Sequence, residues 1–167
     1  EIISQSSNVG TILLGQDLGR TRIDHYLRNF GFGERTGIEF PDEQAGFMLD
    51  PEDWSDTTLG TVAIGHGIAV TPMQMLAAYN VIANRGQYVS PRLVSDTVGP
   101  DGVRHAVEPV VPRSSVSPAT ADAMNLILRS VVSAGTGTNA AVDGFTVAGT
   151  TGTSRKVQAN GTYKDAA

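Results

Sequence analysis

Val147-Ala148-Gly149-Thr150-Thr151-Gly152-Thr153 is the stretch on which the fold turns. Phe145 to Ala148 is a short apolar run of strand type. The hydroxyls that follow alternate with a glycine, which lets a ligand approach the backbone closely. Ser154 to Gln158 reads as the continuation of this strand or as its partner. At the other end of the chain, Ser6-Ser7-Asn8 sets hydroxyls and an amide just before an apolar helix, where Ser6 or Ser7 can serve as its N-cap.

Between these two segments the pattern is mostly helical. Val9, Ile12, Leu13, Gln16 and then Ile23, Tyr26, Leu27, Phe30 recur at helical spacing from Asn8 to Phe30, and Gly19 divides the stretch into two helices. Gly31-Phe32-Gly33 ends the second. Thr36 to Pro41 reads as an extended segment stopped by proline, and Pro41 to about Asp56 as a long surface excursion carrying the isolated Trp54, placed to cover something. Thr71-Pro72 is a hydroxyl cap followed by proline at the first helical position, where its missing N–H costs nothing. The helix it opens runs to Ala83 or Asn84; its nearly all-apolar body predicts a central, buried element, ended by Arg85-Gly86.

Pro91 to Val98 and Val103 to Val107 form a predicted hairpin around Gly99-Pro100-Asp101-Gly102. Ser117-Pro118 repeats the cap-plus-proline signal and opens a helix through about Ser133, closed by Gly135-Thr136-Gly137-Thr138. Helices, a hairpin, a helix and then a strand predict an α+β fold with helices packed on an antiparallel sheet.

Composition excludes several classes of function. The 167 residues include 12 Lys plus Arg against 17 Asp plus Glu, a net charge of −5, and no cysteine. Disulfide scaffolds, thiolate zinc sites and cysteine nucleophiles are therefore ruled out. A mildly acidic chain lacks the clustered cations that a nucleic-acid groove requires. No apolar run approaches the ~20 residues of a membrane span. The start at Glu1-Ile2-Ile3 and the end at Tyr163-Lys164-Asp165-Ala166-Ala167 predict truncation on both sides.

Taken together, Ser6-Ser7-Asn8 and Thr150-Thr151-Gly152-Thr153 resemble the Ser-x-Asn and Lys-Thr-Gly-Thr motifs of the penicillin-binding transpeptidases, a motif set shared with the serine β-lactamases. Other segments fit the class B, cell-division type of that family. Phe30-Gly31-Phe32-Gly33 with Thr36-Gly37 and Ile64-Gly65-His66-Gly67-Ile68 leading into Thr71-Pro72-Met73-Gln74 are two of them. Ala83-Asn84-Arg85-Gly86, Gly135-Thr136-Gly137-Thr138 and Val147-Ala148-Gly149 are others, so that the resemblance covers nearly the whole chain. It implies the penicillin-binding, transpeptidase-like α+β fold, here incomplete, with residues 1–167 as a partial domain from the first motif through the second.

The resemblance also implies a chemistry. A serine attacks the carbonyl of the penultimate D-Ala of a peptidoglycan stem peptide, the terminal D-Ala leaves, and the acyl group passes to an amine of a neighbouring stem; β-lactams acylate the same serine. Ser6 is expected to relay a proton towards the leaving nitrogen, and Asn8 to hydrogen-bond the substrate's amide side chain. Thr151 and Thr153 hydroxyls are expected to bind the substrate carboxylate, with Gly152 between them and the Thr153 N–H as half of the oxyanion hole.

Two departures stand beside these matches. No serine is followed three positions later by lysine, so the nucleophile motif Ser-x-x-Lys is missing and is expected upstream of Glu1. Thr150 stands where the family has the lysine of Lys-Thr-Gly, and a hydroxyl cannot supply that positive charge. Losing a charge-assisted contact costs on the order of 1.5 to 3 kcal/mol or more. The chain alone is therefore expected to be inactive.

The remaining polar groups have plainer readings. His66 lies in a glycine-rich turn feeding a helix, and His25, His66 and His105 are not at ligand spacing, so neither a metal nor any cofactor is expected. Asp42, Glu43, Asp50, Glu52 and Asp53 read as a solvated loop. Neither Gly31-Phe32-Gly33 nor Gly65-His66-Gly67 has the rest of a phosphate loop. Asn160-Gly161 reads as a tight hairpin turn.

For the intact protein the resemblance implies an N-terminal membrane helix with the domain outside the bacterial plasma membrane. The implied partners are stem peptides, β-lactams, a membrane glycan polymerase and division proteins. Two rivals remain: a non-catalytic penicillin- or peptide-binding module, motivated by Thr150, and a serine β-lactamase, for which Glu43 or Glu52 would have to activate water.

Overall fold

The computed structural model describes residues 1–108 and 110–152, and the backbone of 155–157 and 163–165. Five helices dominate: α1 (Asn8–Leu18), α2 (Arg20–Asn29), α3 (Asp56–Ala63), α4 (Pro72–Ala83) and α5 (Pro118–Ala134). Among the described residues six short strands pair into three antiparallel ladders. β1 (Gln87–Tyr88) pairs with β4 (Arg113–Ser114), β2 (Asp96–Val98) with β3 (Arg104–Ala106), and β5 (Arg155–Val157) with β6 (Tyr163–Asp165). The α+β class thus holds, with three separate two-stranded ladders among the described residues.

The helix boundaries follow local chemistry. Gly19, at φ 77 and ψ 158, breaks the first helical stretch as expected. Thr71 and Gln74 cap α4 reciprocally: Gln74 N–H donates to Thr71 Oγ1 at 3.1 Å and Thr71 N–H donates to Gln74 Oε1 at 2.8 Å. Ser117 caps α5 by accepting from Thr120 N–H at 3.1 Å. The core lies where α4, α5 and β1 meet: Val81 and Val131 are fully buried, and Ala77, Val81 and Tyr88 cluster with Phe30 and Val116.

Four expectations change. α4 is not buried all round; Gln74, Ala77, Ala78 and Val81 are inside, whereas Met75, Leu76 and Tyr79 form an exposed side. The excursion from Pro41 carries a 3₁₀ turn (Pro51–Asp53) and runs directly into α3, a helix without a clear apolar stripe. Trp54 in that excursion is buried, its indole N–H donating to Leu49 O at 3.0 Å. The first hairpin strand shortens to Asp96–Val98. Phe145 to Ala148 is irregular rather than a strand, because no ladder forms beside it among the described residues.

Within Ser154 to Gln158, β5 forms and takes β6 as its partner, with Lys156 opposite Lys164. The expected Asn160-Gly161 turn lies outside the described residues. Among the described residues no helix is long and apolar enough to cross a membrane.

Candidate active site

Residues 1–7 are wound into successive turns. Gln5 N–H donates to Glu1 O at 2.9 Å, Ser6 N–H to Ile3 O at 3.1 Å, and Ser7 N–H to Ile2 O at 2.9 Å. The two candidate caps separate cleanly here. Ser7 caps α1, its Oγ accepting from Gly10 N–H at 3.2 Å. Ser6 sits at φ 52, a left-handed conformation rare for a residue with a Cβ. Its exposed side chain is therefore not spent on the helix terminus, and Asn8, the first helical residue, is exposed beside it.

The second motif approaches from the far side of α5. Gly149 N–H donates to the helix carbonyl of Leu128 at 3.2 Å, which docks the segment leading to Thr150. Thr150 and Thr151 are both exposed; among the described residues the Thr150 hydroxyl makes one long contact, 3.5 Å to Thr151 O. Gly152 is exposed, and no atom of the described residues beyond its chain neighbours lies within 4 Å of where a Cβ would stand. Thr153 lies outside the described residues.

The turn after α5 joins the two motifs. Thr136 N–H donates to Ser4 O at 3.2 Å, while its Oγ1 lies 2.9 Å from Thr151 Oγ1. A Cβ on Gly135 would strike Ser4 O, so glycine is what lets the N-terminal loop come this close. Gly135 N–H and Gly137 N–H both donate to Val131 O at 3.0 Å, which anchors the turn to the end of α5. The residues read from sequence as a helix stop are therefore the bridge between the candidate site segments. Reading the sequence missed this role, because a glycine-threonine turn after a helix carries no sign of what will dock on it.

The other candidates fall away from this place. His66 N–H donates to Thr61 O at 2.9 Å between Gly65 (φ 81) and Gly67 (φ 77), a turn that leads from α3 towards α4. His25 Nε2 lies 3.0 Å from Asn29 Nδ2 on α2. Among the described residues no three His, Asp or Glu side chains converge as a metal site would require.

Asp42, Asp50, Glu52 and Asp53 are exposed as a solvated loop would have them, while Glu43 and Asp50 also hold partners. The Glu43 carboxylate accepts from the Thr36 hydroxyl, from Thr36 N–H at 2.7 Å and from Gly37 N–H at 3.1 Å. The Thr36 hydroxyl, followed by the two backbone amides, holds this carboxyl below the usual glutamate range. Asp50 pairs with Arg28 at 3.1 Å, and Arg28 in turn pairs with Asp24 on α2 at 3.0 Å. A cavity of about 460 Å³ opens between α5 and residues 141–147, lined by Leu126, Arg129, Phe145 and Val147, and a more apolar one of about 380 Å³ lies near Phe40, Met73 and Leu93. None of the five described candidate site residues, Ser6, Asn8, Thr150, Thr151 and Gly152, lines either cavity.

A capped helix presenting Ser-x-Asn is thus tied through one turn to a Thr-Thr-Gly segment. The chain belongs to the penicillin-binding protein transpeptidase domain family, whose model matches residues 1–167. It is 38% identical over 172 residues to the penicillin-binding protein PbpB of Mycolicibacterium smegmatis, covering 98% of this chain and 26% of that protein. It is 32% identical over 165 residues to the probable peptidoglycan D,D-transpeptidase PenA of Neisseria meningitidis, again with 98% of this chain and 26% of the relative. Among solved structures it is similar to penicillin binding protein 3 of Mycobacterium tuberculosis complexed with aztreonam. That match has a TM-score of 0.93 and 38% identity, over 98% of this chain and 38% of the other. The chain thus spans about a quarter of the length of these curated relatives.

Proposed function

We propose that residues 1–167 are a portion of a D,D-transpeptidase domain, running from Ser-x-Asn through a Lys-Thr-Gly-like motif, in a protein that cross-links peptidoglycan stem peptides and is acylated by β-lactams. The observation that carries this reading is that Thr136 touches both segments, its N–H donating to Ser4 O and its hydroxyl lying 2.9 Å from Thr151 Oγ1. Two segments distant in sequence are held together although the side chains of Ser6, Asn8, Thr150 and Thr151 are exposed and add nothing to the core.

In this reading the nucleophilic serine and its lysine base lie outside residues 1–167. The serine adds to the penultimate D-Ala carbonyl, and the terminal D-Ala leaves after taking up a proton that Ser6 relays. Asn8 hydrogen-bonds the substrate's amide side chain. Thr151 and Thr153 hydroxyls receive the terminal carboxylate, and the Thr153 N–H supplies half of the oxyanion hole. Gly152 lets the substrate approach the backbone closely. Thr150 leaves this anion site without its usual cation, so the site binds a carboxylate more weakly than a lysine-bearing one.

The whole protein is expected at the outer face of a bacterial plasma membrane, held by a helix outside this chain and working with a glycan polymerase and division proteins. Acylation of the full-length protein by a fluorescent penicillin tests the reading, with the 167-residue chain alone expected to remain unlabelled.

Thr150 also favours a second reading, a penicillin- or peptide-binding module without turnover. The parent locus distinguishes the two, because an encoded Ser-x-x-Lys supports the enzyme and its absence supports the module. The β-lactamase rival is weakened at Glu43, whose carboxylate already accepts from the Thr36 hydroxyl and from the Thr36 and Gly37 amides.

A further inference from the structure

Thr136 occupies a position that the assigned motifs do not explain. Its N–H donates to Ser4 O at 3.2 Å, two residues before Ser6, and its Oγ1 is 2.9 Å from Thr151 Oγ1. The backbone half of this bridge fixes the loop that carries Ser6 and Asn8. The side-chain half reaches a hydroxyl that the proposed function assigns to the substrate carboxylate.

A hydroxyl has one proton to donate and two lone pairs. If Thr151 donated to Thr136, its proton would be consumed before any ligand arrived. If Thr136 donates to Thr151, the Thr151 proton is left free for an anion, and the accepted bond polarises it for that task. The second arrangement is the one compatible with a carboxylate site, and it carries extra weight here because Thr150 brings no positive charge. Neighbouring groups reinforce the constraint: Gly135 and Gly137 both bond Val131 O, so the turn bearing Thr136 moves with α5 rather than independently.

We infer that Thr136 is a positioning residue that donates its hydroxyl to Thr151 and its amide to Ser4, holding the Thr151 proton towards the substrate carboxylate and the two motifs in register. This inference rests on the transpeptidase reading for its functional half, and its structural half stands apart from that reading.

The test uses the full-length protein carrying Thr150→Lys, so that a penicillin label can be followed. Thr136→Val and Thr136→Ser are compared by amide hydrogen exchange over residues 148–152 and by the rate of acylation with a fluorescent penicillin. Loss of one hydrogen bond predicts that Thr136→Val exchanges faster across this segment and acylates roughly three- to tenfold more slowly, since a net hydrogen bond carries about that factor. Its melting temperature should stay close to that of the parent, and Thr136→Ser should restore both readouts.

Thr136→Ala replaces the valine variant if the latter does not fold. Unchanged exchange and acylation in Thr136→Val overturn the inference. So does a Thr136→Ser variant that fails as badly as valine, because a hydroxyl donor is then not what matters. If the Thr150→Lys parent takes no label at all, the transpeptidase reading fails while the exchange result still decides whether Thr136 holds Thr151.

Discussion

Ser7 Oγ accepts the Gly10 N–H at 3.2 Å and thereby closes the first turn of α1, leaving the adjacent Ser6 outside the helix at φ 52. Two neighbouring serines thus have separate tasks. Ser7→Ala is expected to destabilise the protein by about 1 kcal/mol, the usual cost of losing an N-cap. Ser6→Ala should leave the unfolding midpoint nearly unchanged, yet slow acylation of the full-length Thr150→Lys protein by a large factor, since Ser6 is assigned to proton relay. Urea unfolding and penicillin labelling of the two variants side by side check this; equal stability losses would remove the distinction.

Gln74 is fully buried at the start of α4, and its amide is used on both sides. Its Nε2 donates to Glu34 O at 2.7 Å and to Ala45 O at 2.8 Å, while Oε1 accepts Thr71 N–H at 2.8 Å. Gln74→Leu leaves two carbonyls and one N–H at this partly buried place without their partner and should cost about 2 to 4 kcal/mol. Gln74→Glu keeps the acceptor but loses both donations and buries a carboxyl against two carbonyls, so it should also destabilise strongly. Denaturant midpoints measure both, and a leucine variant as stable as the parent would contradict the assigned role.

Glu43 gives the loop from Thr36 to Gly46 a pH dependence of known sign. Its folded-state carboxyl lies below the ordinary range because the Thr36 hydroxyl, then the Thr36 and Gly37 amides, bond the ionised form. The stabilisation is fully present above the unfolded value of about 4.3 and is lost as pH falls towards the folded one. Melting temperature followed from pH 7 downward should therefore decline below about pH 5, and the decline should be shallower in Glu43→Gln, which also starts from a lower value. Parallel curves for parent and variant would show that the clasp adds nothing.

Local signals were legible in the sequence and long-range ones were not. Thr71-Pro72, Ser117-Pro118 and Gly19 mark helix ends because a cap or a positive φ involves only residues within a turn of one another. α3 escaped notice because Thr57, Thr58, Thr61 and Val62 are β-branched and Gly60 interrupts them, which weakens helical preference and leaves no apolar stripe. Phe145 to Ala148 has strand composition but no partner strand among the described residues. Nothing near Gln74 foretells its partners, which lie 40 and 29 positions away.

The candidate site divides the same way. Ser6, Asn8 and Thr150 to Gly152 were legible as motifs, whereas Thr136 joins them only through contacts made in three dimensions.

We propose that this chain carries the Ser-x-Asn and Thr-Thr-Gly segments of a serine transpeptidase whose nucleophile lies outside residues 1–167, with Thr150 in place of a cation. Labelling the full-length protein and its Thr150→Lys variant with a fluorescent penicillin, followed by peptide mapping, tests it most directly. The account predicts weak labelling of the parent, labelling on the order of tenfold or more stronger in the variant, as a regained charge-assisted contact requires, and the label on a serine outside residues 1–167. A label on a serine within residues 1–167, or none on either protein, would contradict it.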